Sequence, residues 1–125
     1  MRWKIQFILD ALSFGYRVLY VDSDVILLKN PFPELNSKDG YNIIAQQDRG
    51  QLCTGFFYLT PTKETIDVMK YAMKVFYRGI GDQAAVNRAV KELKPSVLLL
   101  PTDLFPSGFE FFKKYQYYWD RKGDE

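Results

Sequence analysis

Residues 15–28, Gly15-Tyr16-Arg17-Val18-Leu19-Tyr20-Val21-Asp22-Ser23-Asp24-Val25-Ile26-Leu27-Leu28, carry two carboxylates one residue apart inside an otherwise apolar run. The segment Val18–Val21 is made of strand formers, entered after Gly15 and left at Asp22, as expected for a short buried strand. Asp22 then stands at the carboxyl end of that strand, where open α/β sheets bind their ligands. Two like charges about 5 Å apart repel by roughly 3 kcal/mol at an effective dielectric of about 20, so something has to offset them. A hard divalent cation does so directly, and Mg²⁺ and Mn²⁺ take one or two carboxylates together with substrate phosphates. The pair Asp22 and Asp24 therefore suggests a site for a metal and a diphosphate, against the alternative of two turn residues facing water.

Moving outward, Ile5, Ile8, Leu9 and Leu12 recur on one helical face, predicting a helix over about 4–14 that stops at Gly15. After Leu28, the two prolines in Lys29-Asn30-Pro31-Phe32-Pro33 cannot donate to a ladder and predict a loop. Tyr41–Ala45 reads as a second strand, entered from Asp39-Gly40 and left through the polar stretch 46–51. A third, Gly55–Leu59, is closed by Thr60-Pro61. Thr62 caps a helix whose Ile66, Met69, Met73 and Phe76 form its apolar stripe, to about residue 77. Asp82 opens another, with Ala85, Val86, Ala89, Val90 and Leu93 inward until Pro95, and Val97–Leu100 is a last short strand. From Lys113 onward no period is legible. The order is α/β, in one unit.

Composition narrows the chemistry. One hundred and twenty-five residues suffice for a single core, and 47% hydrophobic content without low-complexity tracts describes a chain that packs. Seventeen basic against fifteen acidic residues, interspersed to a formal charge of +2, leave no footprint for nucleic acid. No apolar run approaches the roughly 20 residues of a membrane span. The single cysteine, Cys53, excludes an internal disulfide. The chain contains no histidine, which removes Ser-His-Asp and Cys-His systems and every histidine-ligated zinc site. Carboxylates are what remains.

Three segments in order resemble the nucleotide-diphospho-sugar transferase family, glycosyltransferases of the GT-A fold with a DxD motif. They are residues 15–32, Thr54-Gly55-Phe56-Phe57-Tyr58-Leu59, and Gly81-Asp82-Gln83-Ala84-Ala85-Val86-Asn87. Residues 54–59 are similar to the family's N-T-G-F strand beside the donor sugar, and residues 81–87 to its D-Q-x-x-x-N helix start. The resemblance covers most of residues 4–112. It implies a mixed, mainly parallel sheet flanked by helices, and a metal-dependent, retaining transfer of a sugar from a nucleotide-diphosphate donor to a carbohydrate or glycoprotein acceptor. A uridine-diphosphate sugar is the expected donor. Asp24 would ligate Mn²⁺ or Mg²⁺ at the donor diphosphate and Asp22 would contact the nucleotide ribose or the metal, with Ser23, Thr54 and Gly55 also lining the donor. Asp82 would bind sugar hydroxyls, and Gln83 would lie near the anomeric carbon.

Each position also has a plainer reading. Asp82 serves equally as a helix cap, Gln83 and Asn87 as surface one turn apart, Thr54-Gly55 as the start of a strand. Lys29, Arg49 and Lys113 are phosphate contacts or solvated charges, and Phe105–Phe109 is an acceptor-side loop or an aromatic loop packed on the core. Three departures from the family pattern stand out: Cys53 replaces the asparagine of N-T-G-F, the late metal-binding histidine is absent, and the strand that normally opens the domain does not precede the first helix. Residues 1–125 therefore read as a partial domain, the central and later part of a longer one. That keeps open a non-catalytic sugar-nucleotide-binding remnant, and the Asp-x-Asp after a strand keeps open a phosphohydrolase of the haloacid-dehalogenase type. As given the chain reads as soluble, in the cytoplasm or, within a longer protein, the Golgi lumen.

Overall fold

The computed structural model describes residues 2–76, 79–108 and 111–112. The elements are α1 (Arg2–Ser13), β1 (Val18–Val21), α2 (Phe32–Asn36), β2 (Ile43–Asp48), β3 (Gln51–Leu59), α3 (Lys63–Phe76), α4 (Asp82–Leu93) and β4 (Val97–Leu99). Among the described residues, no helix is long and apolar enough to cross a membrane.

The strands form one sheet in the order β1-β3-β2-β4. It is mixed: β2 pairs parallel with β4, while β3 pairs antiparallel with both β1 and β2. Three strands thus run one way, and the reversed one lies inside the sheet, so the ladders themselves are mostly antiparallel. The expectation of a mainly parallel sheet holds for strand direction and not for pairing. The cause is the turn Arg49-Gly50, whose positive φ values of 53° and 81° fit a two-residue hairpin connection. It folds β3 directly back on β2, extends β2 through 46–48 of the polar stretch that the sequence reads as following it, and starts β3 at Gln51, ahead of the expected Gly55.

Period-two alternation divides the core cleanly. Val18, Tyr20, Ile43, Ala45, Phe57 and Leu59 face one side, where they meet Ile5, Ile8 and Leu12 of α1, Val68, Met69 and Ala72 of α3, and Ala85, Val86 and Ala89 of α4. Leu19, Val21, Ile44, Phe56 and Tyr58 face the other, covered by Leu35 of α2, Val25, Leu100 and Phe105. The loop expected after Leu28 contains α2, because prolines are tolerated in a helix's first turn, where amide hydrogens have no helical partner: Pro31 caps it and Pro33 lies just inside. The run after Asp24 turns outward. Val25 is half-buried, but Ile26, Leu27 and Leu28 are exposed, the last at 93%. Trp3 and Phe7 on α1, and Phe14 just after it, are exposed as well, and β1 lies at the sheet's edge.

Candidate functional site

The carboxyl ends of β1, β2 and β4 and the first half of β3 share one end of the sheet, as the register requires: Val21 pairs with Phe56, and Gln47 with Leu52. Past the end of β1, the Asp22 amide still donates to the Gly55 carbonyl at 2.8 Å. The chain then turns, with the Val25 amide donating back to the Asp22 carbonyl at 3.1 Å. Ser23 and Asp24 occupy the two corners of that turn and are exposed. The two aspartates therefore part company: Asp22 is partly sheltered against the sheet, and Asp24 stands in solvent.

What lies against Asp22 is a cation. Lys4 continues the i, i+4 line of Ile8 and Leu12, so α1 directs it inward. Its Nζ is 2.8 Å from Asp82 Oδ2 and 3.6 Å from Asp22 Oδ1, and 4.2 Å from the centroid of the Tyr20 ring. The Lys4 side chain is only 5% exposed, against 37% for Asp22 and 22% for Asp82. A buried ammonium persists only when paired, and two carboxylates and an aromatic face provide that.

The titration of these groups follows from the geometry. Burial works to raise the Asp82 carboxyl, but the hydrogen bond and charge of Lys4, with backbone amides at the start of α4, outweigh it and hold the group below its ordinary 3.8. The Tyr20 phenol is pushed up, first by burial and then by the nearby Asp22 and Asp82. Burial also raises the Cys53 thiol, which keeps it protonated and disfavours a nucleophilic role. Because Asp82 is more acidic folded than unfolded, its contribution to stability is present above 3.8 and is lost as pH falls through the lower folded value. The melting temperature of Asp82→Asn, followed from about pH 5 down to about pH 2, is expected to fall less steeply than that of the wild type. Parallel acid limbs would show that Asp82 gains nothing from Lys4.

From the other side the site is closed by α4. Gly81 is the N-cap and Asp82 the first helical residue, its carboxylate at the positive end of the helix. Beyond the end of β1, the edge of β3 is taken over by two side-chain amides. Asn87 accepts from the Leu52 amide at 3.0 Å and donates to the Leu52 carbonyl at 2.8 Å and to the Gln83 carbonyl at 2.9 Å. Gln83 accepts from the Thr54 amide and donates to Asp48, both at 3.3 Å. Gly55 forms the floor: a Cβ there would lie 2.8 Å from Asp22 Oδ2 and 3.4 Å from Cys53 Sγ.

The structure thus brings Asp22, Thr54, Gly55, Asp82 and Gln83 together and leaves Ser23 and Asp24 on the exposed rim. Lys4, Tyr20 and Asp48 join them without having been expected. Asn87 is a backbone clamp and not solvated surface. Lys29 is an exposed loop residue, Arg49 lies in the hairpin turn, and Lys113 falls outside the described residues. The late aromatic loop packs on the core as far as it is described: the Phe105 ring lies 5.7 Å from that of Phe56, and the Gln46 amide donates to the Pro106 carbonyl at 2.6 Å. Phe109 is outside the described residues. A separate cleft of about 230 Å³, lined by Arg17, Lys38, Asp39, Tyr41 and Tyr58 among others, opens at the opposite end of the sheet. None of the site residues reaches it.

Asp22 and Asp24 offer a hard cation oxygen donors only. Among the described residues no three His, Cys, Asp or Glu side chains converge as a ligand set. Oxygen donors of this kind suit a hard ion of the Mg²⁺ or Mn²⁺ type, which takes one or two carboxylates together with phosphate and water.

Comparison with known proteins identifies the family. The family model described as nucleotide-diphospho-sugar transferase matches residues 1–124. A Dictyostelium discoideum protein named UDP-galactose:fucoside alpha-3-galactosyltransferase is 24% identical over 135 residues, covering 84% of this chain and 21% of that protein. An uncharacterized Arabidopsis thaliana protein is 33% identical over 89 residues, covering 66% of this chain and 27% of its own length. The chain thus spans about a fifth to a quarter of these curated relatives. No solved structure matches it.

Proposed function

Since the chain belongs to the nucleotide-diphospho-sugar transferase family, a family of glycosyltransferases, we propose that it acts through a divalent cation on a uridine-diphosphate sugar, moving the sugar with retention of configuration to a carbohydrate or glycoprotein acceptor. One observation carries the reading: Asp22 and Asp82, from different elements, converge on Lys4 at the carboxyl end of β1, with Asp22 lying over the bare backbone of Gly55. The choice of uridine-diphosphate sugar is supported by the name of the Dictyostelium discoideum relative.

In this reading Asp22 and Asp24 hold Mn²⁺ or Mg²⁺ with the donor diphosphate. When bound, such an ion supplies Lewis-acid stabilisation of charge on the leaving group. Asp82 accepts hydrogen bonds from sugar hydroxyls. Gln83, held by Asp48 and the Thr54 amide, keeps its side chain in place beside the sugar, and Gly55 leaves room for the Asp22 carboxylate against the sheet. In this reading the departing phosphate takes the acceptor's proton. The same proposal makes residues 1–125 part of a longer transferase domain. The edge position of β1 and the exposed Trp3 and Phe7 on α1 support that.

Calorimetric titration of uridine diphosphate, with and without MnCl₂, tests the reading. Wild type is expected to bind in a metal-dependent manner, and Asp24→Ala to weaken that binding by about tenfold or more. Binding indifferent to Mn²⁺ would overturn the metal site. Metal-dependent binding without release of uridine diphosphate from any sugar donor would identify a non-catalytic module. Hydrolysis of a phosphate ester, lost in Asp22→Ala, would identify a phosphohydrolase.

A further inference from the structure

Asp22 and Asp82 approach from the end of β1 and the start of α4, yet no side chain of either element neutralises them. The charge between them comes from α1. Lys4 Nζ lies 2.8 Å from Asp82 Oδ2 and 3.6 Å from Asp22 Oδ1, and its side chain is far less exposed than either carboxylate. An ion arriving from solvent therefore meets the carboxylates first and the ammonium behind them. Below the ammonium are the rings of Tyr20 and Phe57, with centroids at 4.2 and 5.9 Å, which favour a cation over their faces and offer no other seat for it. The other oxygen of Asp22, Oδ2, lies over Gly55.

We propose that Lys4 is the resident counter-ion of this site: a positioning residue that joins Asp22 to Asp82 and keeps a divalent cation out of the space between them, leaving Asp22 Oδ2 and Asp24 for the ion. The proposal rests on the metal-dependent reading above for the location of the ion, but not for its test. Two carboxylates deprived of their ammonium are an inviting ligand pair for a hard cation, because an opposite charge within about 4–6 Å favours their ionised form. Lys4 therefore holds by covalent tether a place that a free metal ion would otherwise take. The two counter-charges exclude each other there.

The test is titration of MnCl₂ alone, without nucleotide, into wild type, Lys4→Met and Lys4→Met/Asp82→Asn, with melting temperatures measured in parallel. Lys4→Met is expected to bind Mn²⁺ about tenfold more tightly than wild type, and the added Asp82→Asn to abolish that gain. A merely structural lysine would lower the melting temperature without raising ion affinity. Unchanged or weaker Mn²⁺ binding in Lys4→Met, or a gain that survives Asp82→Asn, overturns the proposal. Lys4→Gln, which retains a donor for Asp82, gives the same comparison should the methionine variant not fold. Since the measurement compares variants with the ion alone, failure of the wild type to bind uridine diphosphate would count against the transferase mechanism and leave this result standing.

Discussion

Gly55→Ala is expected to lower metal-dependent affinity for uridine diphosphate by about a hundredfold while the protein stays folded, an effect comparable to the larger losses seen when the partners of metal ligands are removed. The reason is local. The new Cβ would lie 2.8 Å from Asp22 Oδ2, closer than a methyl group and a carboxylate oxygen can approach, and 3.4 Å from Cys53 Sγ, which must give slightly. Gly55 is not among the glycines with positive φ, so its backbone accepts alanine without strain. The conflict falls on the Asp22 side chain, which has to swing off the floor of the site and away from Lys4. The double variant Gly55→Ala/Asp22→Ala removes the conflict. It should therefore melt above the value expected from adding the two single effects, as neighbouring sites in contact do. Full nucleotide affinity in Gly55→Ala would mean that the position of Asp22 does not matter for binding.

Asn87→Leu is the substitution expected to cost the most stability, about 2–4 kcal/mol, read as a drop of roughly 10 °C in melting temperature. Leucine conserves size but cannot replace the paired bonds to the Leu52 amide and carbonyl, at 3.0 and 2.8 Å. Leu52 itself is buried, so its two backbone groups would be left without a partner. Asn87→Asp would discriminate further: it can still accept from the Leu52 amide but turns a second acceptor toward the carbonyl, and should be no better than leucine. Thermal unfolding of the two variants beside wild type measures this. A loss below about 0.5 kcal/mol, the level of an ordinary surface change, would show that β3 needs no closure at this edge.

How much of this was legible depends on which residues are asked. Val18–Val21 and the faces of the helices declared themselves through periodicity, because each needs only its own neighbours to be interpreted. Asp22 was recognisable as the residue at a strand end. Its apparent equivalence to Asp24 was not real: alternate residues share a face only while a strand lasts, and here the strand stops at Val21 and a turn intervenes. The polar strand residues Gln46, Gln47, Asp48 and Gln51 were hidden because their partners are one another's backbones across the Arg49-Gly50 turn. Lys4 carried a visible signal, its place in line with Ile8 and Leu12. A lysine near the start of a helix nonetheless reads as solvated unless its anions are known, and these come from β1 and α4. Asn87 was hidden for the same reason, since its partner is the main chain of a distant strand.

The Arg49-Gly50 hairpin also orders the assembly of the molecule. Closing β2 on β3 requires two residues of connecting chain, whereas docking Val21 on Phe56 closes a long loop and bringing Lys4 to Asp82 closes most of the polypeptide. Loop-closure entropy rises with the length enclosed, so the nearest-neighbour contacts form at the least entropic expense and the far ones last. The ground on which the acidic cluster stands is therefore laid early, and the cluster itself is among the final pieces set upon it. A chain in which only that hairpin has formed would have no acidic cluster with which to recognise a ligand.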